Sequence, residues 1–256
     1  NVWQAIIPIL TKDNLDLTQK DLATLVCPNQ AIFKHLKSYH VCAIAKNQAG
    51  VKELYRLISD SHTAYLAAGS LPKIPRKELQ DNRADLMFGS SCFNGEIFEL
   101  ASNKSEEELA SAMSFYDYIE VQPMENYSWL VNMGELSEER LTSIVKSIIS
   151  TADSVGKMVC ATGDCHYVNP DDKICRDVYI SAKGLGGILH PLAPHRRDNM
   201  PAFPNPDQHF RSTKEMLDCF IPLVGEEKAR EIVIANTNKI ADQVEPVVIL
   251  KDHLYP

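Results

Sequence analysis

The sequence predicts an α/β fold with parallel strands and helices outside them, either an open sheet or part of a barrel. Three observations carry this. Four short apolar runs of strand length stand at residues 39–46, 84–90, 118–122 and 158–162. Between them lie segments whose apolar residues return at i, i+3 and i+4, the helical period. Strand and helix alternate throughout, the order from which parallel sheets are built. The chain of 256 residues is long enough to bury a real core, as one large unit or two small domains. No repeat of 20–50 residues stands out.

Taken in order, residues 2–10 are apolar and read as a helix end that Pro8 kinks or closes. Residues 18–26 read as a short helix that Cys27-Pro28-Asn29 breaks. The run at 39–46, Tyr39-His40-Val41-Cys42-Ala43-Ile44-Ala45-Lys46, is the first strand, apolar enough to be buried on both faces. Asn47 turns the chain into a helix with Val51, Leu54, Tyr55, Leu57, Ile58 and Tyr65 roughly on one stripe. A Pro-containing loop and a short segment at 76–80 lead to the second strand. Ser91 and Asn94 offer caps for the helix after it. Ser105-Glu106-Glu107-Glu108 is a capping box, and Ser137-Glu138-Glu139-Arg140 reads as another. The second opens a long helix with Leu141, Ile144, Val145, Ile148, Ile149 and Ala152 on one stripe, ended by Gly156. Pro123 stops the third strand. Asn169-Pro170 starts a helix through residue 183, residues 184–206 form a long loop, and helices follow at 213–220 and 225–244.

Composition is that of an ordinary globular protein, 45% hydrophobic and 23% charged. No run approaches the roughly 18–20 apolar residues of a membrane span, so no membrane role is expected. Seven cysteines without C-x-x-C pairs, three of them (Cys42, Cys92, Cys160) in or beside apolar runs, point to buried thiols in a reducing cytoplasm. A formal net charge of −8 argues against the chain itself being a nucleic-acid surface. The chain opens at Asn1 without Met and closes on Leu254-Tyr255-Pro256 without a polar tail, so it is expected to be an excerpt.

Most short motifs are absent: no P-loop, no G-x-G-x-x-G and no G-x-S-x-G. Ser59-Asp60-Ser61-His62 holds triad residue types, but neighbours on one helix do not form a triad, and His62 reads as a partly exposed or core-edge helix residue. His190, His195, Arg196 and Arg197 read as a solvated basic loop. The stretch Met158-Val159-Cys160-Ala161-Thr162-Gly163-Asp164-Cys165-His166-Tyr167 carries more. If the chain stays extended past the strand, Asp164 and His166 point to one side and form half a site for Zn²⁺, Mn²⁺ or Fe. His40 starts a strand. Glu120 and Gln122 share one face at a strand end, where α/β proteins bind ligands, although Gln122 is a poor metal ligand.

Four stretches together resemble the PHP (polymerase and histidinol phosphatase) domain of the replicative DNA polymerase III alpha subunit in its PolC-type form from Gram-positive bacteria. They are the segment from Tyr39-His40 through Leu54-Tyr55, Gly89-Ser90-Ser91-Cys92-Phe93-Asn94-Gly95-Glu96, Phe115-Tyr116-Asp117-Tyr118-Ile119-Glu120-Val121-Gln122-Pro123, and Ala161-Thr162-Gly163-Asp164-Cys165-His166-Tyr167. Gly225-Glu226-Glu227-Lys228-Ala229 and Asn236-Thr237-Asn238-Lys239-Ile240-Ala241 resemble the end of that domain. The resemblance implies part of a distorted seven-stranded β/α barrel that binds divalent metal (Zn, Mn or Fe). Asp164 and His166 match the family's terminal D-x-H, and His40 matches the first of its later histidines. The strand Ile119-Glu120-Val121-Gln122 stands where another His would be, and none is there. The family's opening H-x-H is also missing. An exonuclease is inserted within the PHP domain of this type, so residues 1–37 are expected to be exonuclease tail or connector. Residues 38–256 are then the later portion of a PHP domain, ending before the polymerase palm. The parent would carry out template-directed nucleotidyl transfer with Mg²⁺ on carboxylates outside this chain. Expected partners are the remainder of the polymerase chain, DNA through the parent only, and replisome subunits, all in the cytoplasm. The segment itself reads as metal-binding and structural. A PHP phosphoesterase and a non-catalytic scaffold with a degenerate metal site are the alternatives.

Overall fold

The computed structural model describes residues 36–66, 71–182, 184, 187, 190 and 205–249. The helices expected at 2–10 and 18–26, the connector before residue 36 and most of the loop at 184–206 lie outside the described residues.

Each apolar run becomes a four-residue strand: β1 (Cys42–Ala45), β2 (Leu86–Gly89), β3 (Tyr118–Val121) and β4 (Met158–Ala161). They form one four-stranded sheet in the order β1-β2-β3-β4. β2 and β3 run parallel with Gly89 opposite Tyr118, and β3 and β4 run parallel from Tyr118↔Met158 to Val121↔Ala161. The first strand departs from the all-parallel expectation. Lys46, just past β1, donates its N–H to the carbonyl of Asp85, just ahead of β2 (2.9 Å), so the end of β1 lies against the start of β2. β1 also stands at one end of the sheet order, and its residues are half-buried where burial on both faces was expected. β2 is buried at all four positions.

By the density of its contacts the chain divides into two units: Asn1–Tyr39 with Ala43–Phe88 and Gln243–Pro256, and His40–Cys42 with Gly89–Asp242. In the first, α1 (Gln48–His62) is capped by Asn47, whose side-chain oxygen accepts the Gly50 N–H (3.0 Å) while its amide donates to Asp85 Oδ1 (2.8 Å). Gly50 lies so close to the Asp85 carbonyl that a Cβ would overlap it. The buried residues of α1 are Gly50, Val51, Leu57 and Ser61, and Tyr55 and Ile58 are exposed. The stripe is narrower than the sequence implied because it follows the spacing 50, 54, 57, 61, and Ser61 closes it in place of Ile58. α2 (Arg76–Asp81) follows, burying Leu79.

The second unit holds β3, β4 and the remaining helices. α3 (Glu96–Asn103) is preceded by Gly95, which makes no side-chain cap, so neither Ser91 nor Asn94 caps it as expected. The reason is a tight turn in which the Gly95 N–H reaches the Cys92 carbonyl (2.7 Å) and the Ser91 N–H is turned toward β3. α4 (Glu106–Met113) has the reciprocal Ser105/Glu108 capping box. α5 (Ser128–Asn132) follows a 3₁₀ turn at Met124–Tyr127 that Pro123 opens. At α6 (Glu138–Ser154) the Ser137 side chain accepts the Arg140 N–H, but the third position is Arg, which has no acceptor to return, so the expected box is only half made. All six stripe residues of α6 are buried, and Gly156 ends it at φ +67°. After β4 come a 3₁₀ turn (Pro170–Asp172), α7 (Lys173–Ser181), α8 (Thr213–Val224) with a Ser212/Glu215 capping box, and α9 (Glu226–Arg230). A π-helical turn (Glu231–Ala235) joins α9 to α10 (Asn236–Ala241), where one continuous helix was expected. No helix among the described residues is long and apolar enough to cross a membrane.

Candidate functional site

β3 and β4 deliver their last residues side by side, Glu120 opposite Cys160 and Val121 opposite Ala161. Glu120 is held from three directions. Its N–H donates to Ser90 Oγ (2.8 Å), Oε1 accepts the Ser91 N–H (3.2 Å), and Oε2 accepts from Thr162 Oγ1 (3.1 Å). Ser91 takes φ +63° to aim its N–H there. Burial pushes the Glu120 carboxyl above the usual range and the negative Asp164 adds to this, while the donors from Thr162, Ser91 and Tyr118 hold it back. Gly89 is required beneath it, since a Cβ would run into the Tyr118 ring and Glu120 Oε1.

Asp164 and His166 are placed differently from the extended-chain expectation. Asp164 has φ +49°, a left-handed turn that Asp tolerates better than most residues. The turn swings its carboxylate out of line. His166 Nδ1 meets the Asp164 backbone carbonyl at 2.7 Å and stays 4.0 Å from Oδ1. Asp164 Oδ2 instead accepts from Gln208 Nε2 (2.7 Å), and the His166 N–H donates to the Gln208 carbonyl (2.8 Å). With Nδ1 donating to a carbonyl, Nε2 is the nitrogen left to accept, the tautomer found in metal-bound and proton-accepting histidines.

His40 is exposed. It donates its N–H to the Asn94 carbonyl (3.0 Å), and its Nδ1 lies 3.4 Å from Cys92 Sγ. Burial raises the Cys92 thiol, and Asp164 is near enough to raise it further. Cys92 thus links the surroundings of His40 to those of Asp164. Gln122 is buried, with its N–H on the Tyr127 hydroxyl (3.1 Å) and its Oε1 accepting from Asn126 Nδ2 (3.4 Å). Asn126 also holds the Gly163 carbonyl (2.9 Å), tying the β3 end to the turn that carries Asp164. Gln122 therefore serves hydrogen bonding, as its side-chain chemistry implied. Among the described residues, no three His, Cys, Asp or Glu side chains meet at a point able to hold a metal ion.

Sequence reasoning missed the strip that faces this turn. Tyr167 bridges to His209 in parallel fashion, and Tyr167 Oη both donates to Asp207 Oδ1 (2.9 Å) and accepts the Gln208 N–H (2.9 Å). His209 is buried with Nδ1 on Asp207 Oδ1 (2.8 Å) and Nε2 3.5 Å from Glu215 Oε1. Burial works to raise the Asp207 carboxyl, but His209 and Tyr167 outweigh it and hold the group below the usual range. Nothing in residues 205–211 has strand length or helical spacing, so no periodic signal marks them. His62 lies on the helix with Nδ1 on the Ile58 carbonyl (2.9 Å) and is exposed, further out than the partly exposed or core-edge position expected. Of the free cysteines Cys160 is buried, Cys42 and Cys92 are half-buried, and Cys165 and Cys175 are exposed. Of the basic loop, His190 stands beside Tyr179 (ring centroids 5.7 Å), and His195, Arg196 and Arg197 lie outside the described residues.

No family model matches the chain. It is 40% identical over 224 residues to the DNA polymerase III PolC-type of Lactococcus lactis subsp. lactis (strain IL1403), covering 87% of this chain and 13% of that protein. To the DNA polymerase III PolC-type of Bacillus subtilis (strain 168) it is also 40% identical over 224 residues, covering 87% of this chain and 15% of that protein. The DNA polymerase III PolC-type of Streptococcus pneumoniae serotype 2 (strain D39 / NCTC 7466) is 37% identical over 232 residues, covering 90% of this chain and 15% of that protein. The chain thus spans about a seventh of the length of these curated relatives, and over most of its own length it is similar to one segment of PolC-type DNA polymerase III.

Proposed function

We propose that the chain is a PHP-domain segment of a PolC-type replicative DNA polymerase III alpha subunit, serving DNA replication as a structural part that contributes ligands to a divalent metal site. The observation that carries this reading is the similarity to PolC-type polymerases, 40% identity over 224 residues. The α/β architecture with Glu120 and Asp164 at neighbouring strand ends agrees with a partial β/α barrel, the remaining strands coming from elsewhere in the parent. Polymerisation with Mg²⁺, DNA contact and replisome partners belong in this reading to the parent.

His40, Asp164 and His166 are the residues this chain would offer to Zn, Mn or Fe. Zinc sites use about four ligands, and the described residues do not complete such a set. In this arrangement Asp164 is held by Gln208, so binding requires either exchange of that hydrogen bond or use of the opposite oxygen, Oδ1. No hydrolytic step follows from these residues alone. A second reading, a scaffold whose metal site has degenerated, is favoured by the buried and hydrogen-bonded Gln122.

Metal analysis separates the two. Zn, Mn and Fe would be measured in this chain and in a longer protein carrying the segment upstream of Asn1, each with and without Asp164→Asn plus His166→Ala. The metal-ligand reading expects the longer protein to hold metal and the double variant to lose most of it. No metal in the longer protein would leave the scaffold. Phosphodiesterase activity that survives both substitutions would remove the PHP phosphoesterase alternative.

A further inference from the structure

We infer that Gln208 is the positioning residue of the Asp164/His166 pair, fixing Asp164 as a one-oxygen ligand that offers Oδ1 to a divalent metal. This role rests on the metal-ligand reading above, which leaves both exchange of the Gln208 hydrogen bond and use of Oδ1 open. Gln208 closes the first route.

Gln208 is 3% exposed and is held at three of its atoms. Its backbone N–H donates to Tyr167 Oη (2.9 Å), its carbonyl accepts the His166 N–H (2.8 Å), and its Nε2 donates to Asp164 Oδ2 (2.7 Å). One residue therefore grips Asp164, His166 and Tyr167 together. The next two residues are anchored as well: His209 bridges to Tyr167, and the Phe210 N–H donates to the Tyr167 carbonyl (2.9 Å). With the backbone tied on both sides, the Gln208 side chain has nowhere to withdraw from the carboxylate.

The amide can also point only one way. Gln208 Oε1 is buried with no partner among the described residues. Turning the amide over would set this oxygen against Asp164 Oδ2, acceptor against acceptor. An orphaned buried oxygen is costly, so the side chain gives up one hydrogen bond to keep its NH₂ on Asp164. An amide suits this task where a lysine would not, because it orients the carboxylate without adding a positive charge that repels a metal ion. With Oδ2 engaged inward, Oδ1 is the oxygen left, on the side of His166 (4.0 Å to Nδ1). His166 Nδ1 is itself committed to the Asp164 carbonyl (2.7 Å), which leaves Nε2. Hydrogen-bond partners behind a ligating carboxylate hold it in its binding orientation, and losing one weakens metal affinity. A donor that merely competed with the metal would act oppositely, and its removal would tighten binding.

The opposite signs make the test. Zn²⁺ and Mn²⁺ binding would be titrated against a metal indicator on the longer protein carrying the segment upstream of Asn1, unaltered and as Gln208→Met. Met keeps the length of the side chain and both backbone bonds and removes the donor. The expected result is a loss of about 10–100-fold in affinity, an altered visible spectrum of the Co²⁺-loaded protein, and a Tm within about 4 °C of the unaltered one. A merely structural role would lower Tm and leave the Co²⁺ spectrum of the loaded fraction unchanged. Equal or tighter binding by Gln208→Met, with the unaltered protein loaded, overturns the positioning role and leaves the metal-ligand reading standing. Absence of metal from the unaltered protein overturns both. A metal-free check on the 256-residue chain in chelator reads the clamp itself. The Gln208 side-chain amide protons should exchange with solvent about tenfold or more slowly than those of a free glutamine, and exchange at the free rate overturns the proposal whatever the variant does.

Discussion

At the residue scale, the chemistry of the strand ends was legible in the residue types and misread in their directions. Asp and His two apart after a strand point to one side only while the backbone stays extended. The left-handed φ of Asp164 is invisible in the sequence, although Gly163 beside it marks a turn. Gln208, which captures the Asp164 carboxylate, comes from 44 residues further on, and no local pattern announces such a partner. The turn has a consequence for mutagenesis. Asp164→Asn keeps a residue type that accepts positive φ, whereas Asp164→Val should cost about 1–2 kcal/mol more in urea unfolding; equal stabilities would mean that the turn is not needed. Glu120 gives a pH signature of known sign. Its carboxyl is raised in the folded state, so the folded chain holds the proton more tightly than the unfolded one. That contribution is fully present below the unfolded value, about 4.3, and is lost as pH rises through the folded value. Unfolding measured from pH 4 to 7 should show a decline that Glu120→Gln flattens; a parallel decline in the variant would assign the effect to another group.

At the element scale, the helices were the most legible part, because their periods and caps are local. The α6 stripe is buried residue for residue, and the Ser105 box forms as read. Failures came where a non-local partner decides. The α1 stripe was drawn too wide because a hydrophobic residue at a plausible angle was counted as buried whether or not anything covers it. Adjacent residues test the corrected stripe: Leu57→Ala should cost about 2–5 kcal/mol, and exposed Ile58→Ala within about 0.5 kcal/mol. Comparable losses would restore the wider stripe. The π-turn at Glu231–Ala235 was likewise unreadable, since one inserted residue leaves a helical sequence looking helical. It directly precedes Asn236, which is buried and donates from Nδ2 to the Val159 carbonyl of β4 (2.8 Å). Asn236→Ala leaves that carbonyl unpaired and should lower stability by about 1–3 kcal/mol in denaturant titration; no measurable loss would show that water replaces the amide at no cost.

At the scale of the whole molecule, charge decides what kind of nucleic-acid contact is open to this chain. A net charge of −8 repels a polyanion whose binding depends on releasing many counterions, and the affinity of such contacts falls with salt at a slope of about −0.9 for each phosphate neutralised. Similarity to part of a DNA polymerase therefore does not by itself give this segment a duplex-binding face, and the order of the four stretches, which is what the sequence displayed most clearly, carries no information on that point. Fluorescence anisotropy with a labelled duplex should find no binding by the chain at about 150 mM salt, near physiological ionic strength. Duplex binding with a slope of about −5 or steeper would mean that several Lys and Arg residues act together despite the overall negative charge, and the assignment of DNA contact to the parent alone would then be wrong.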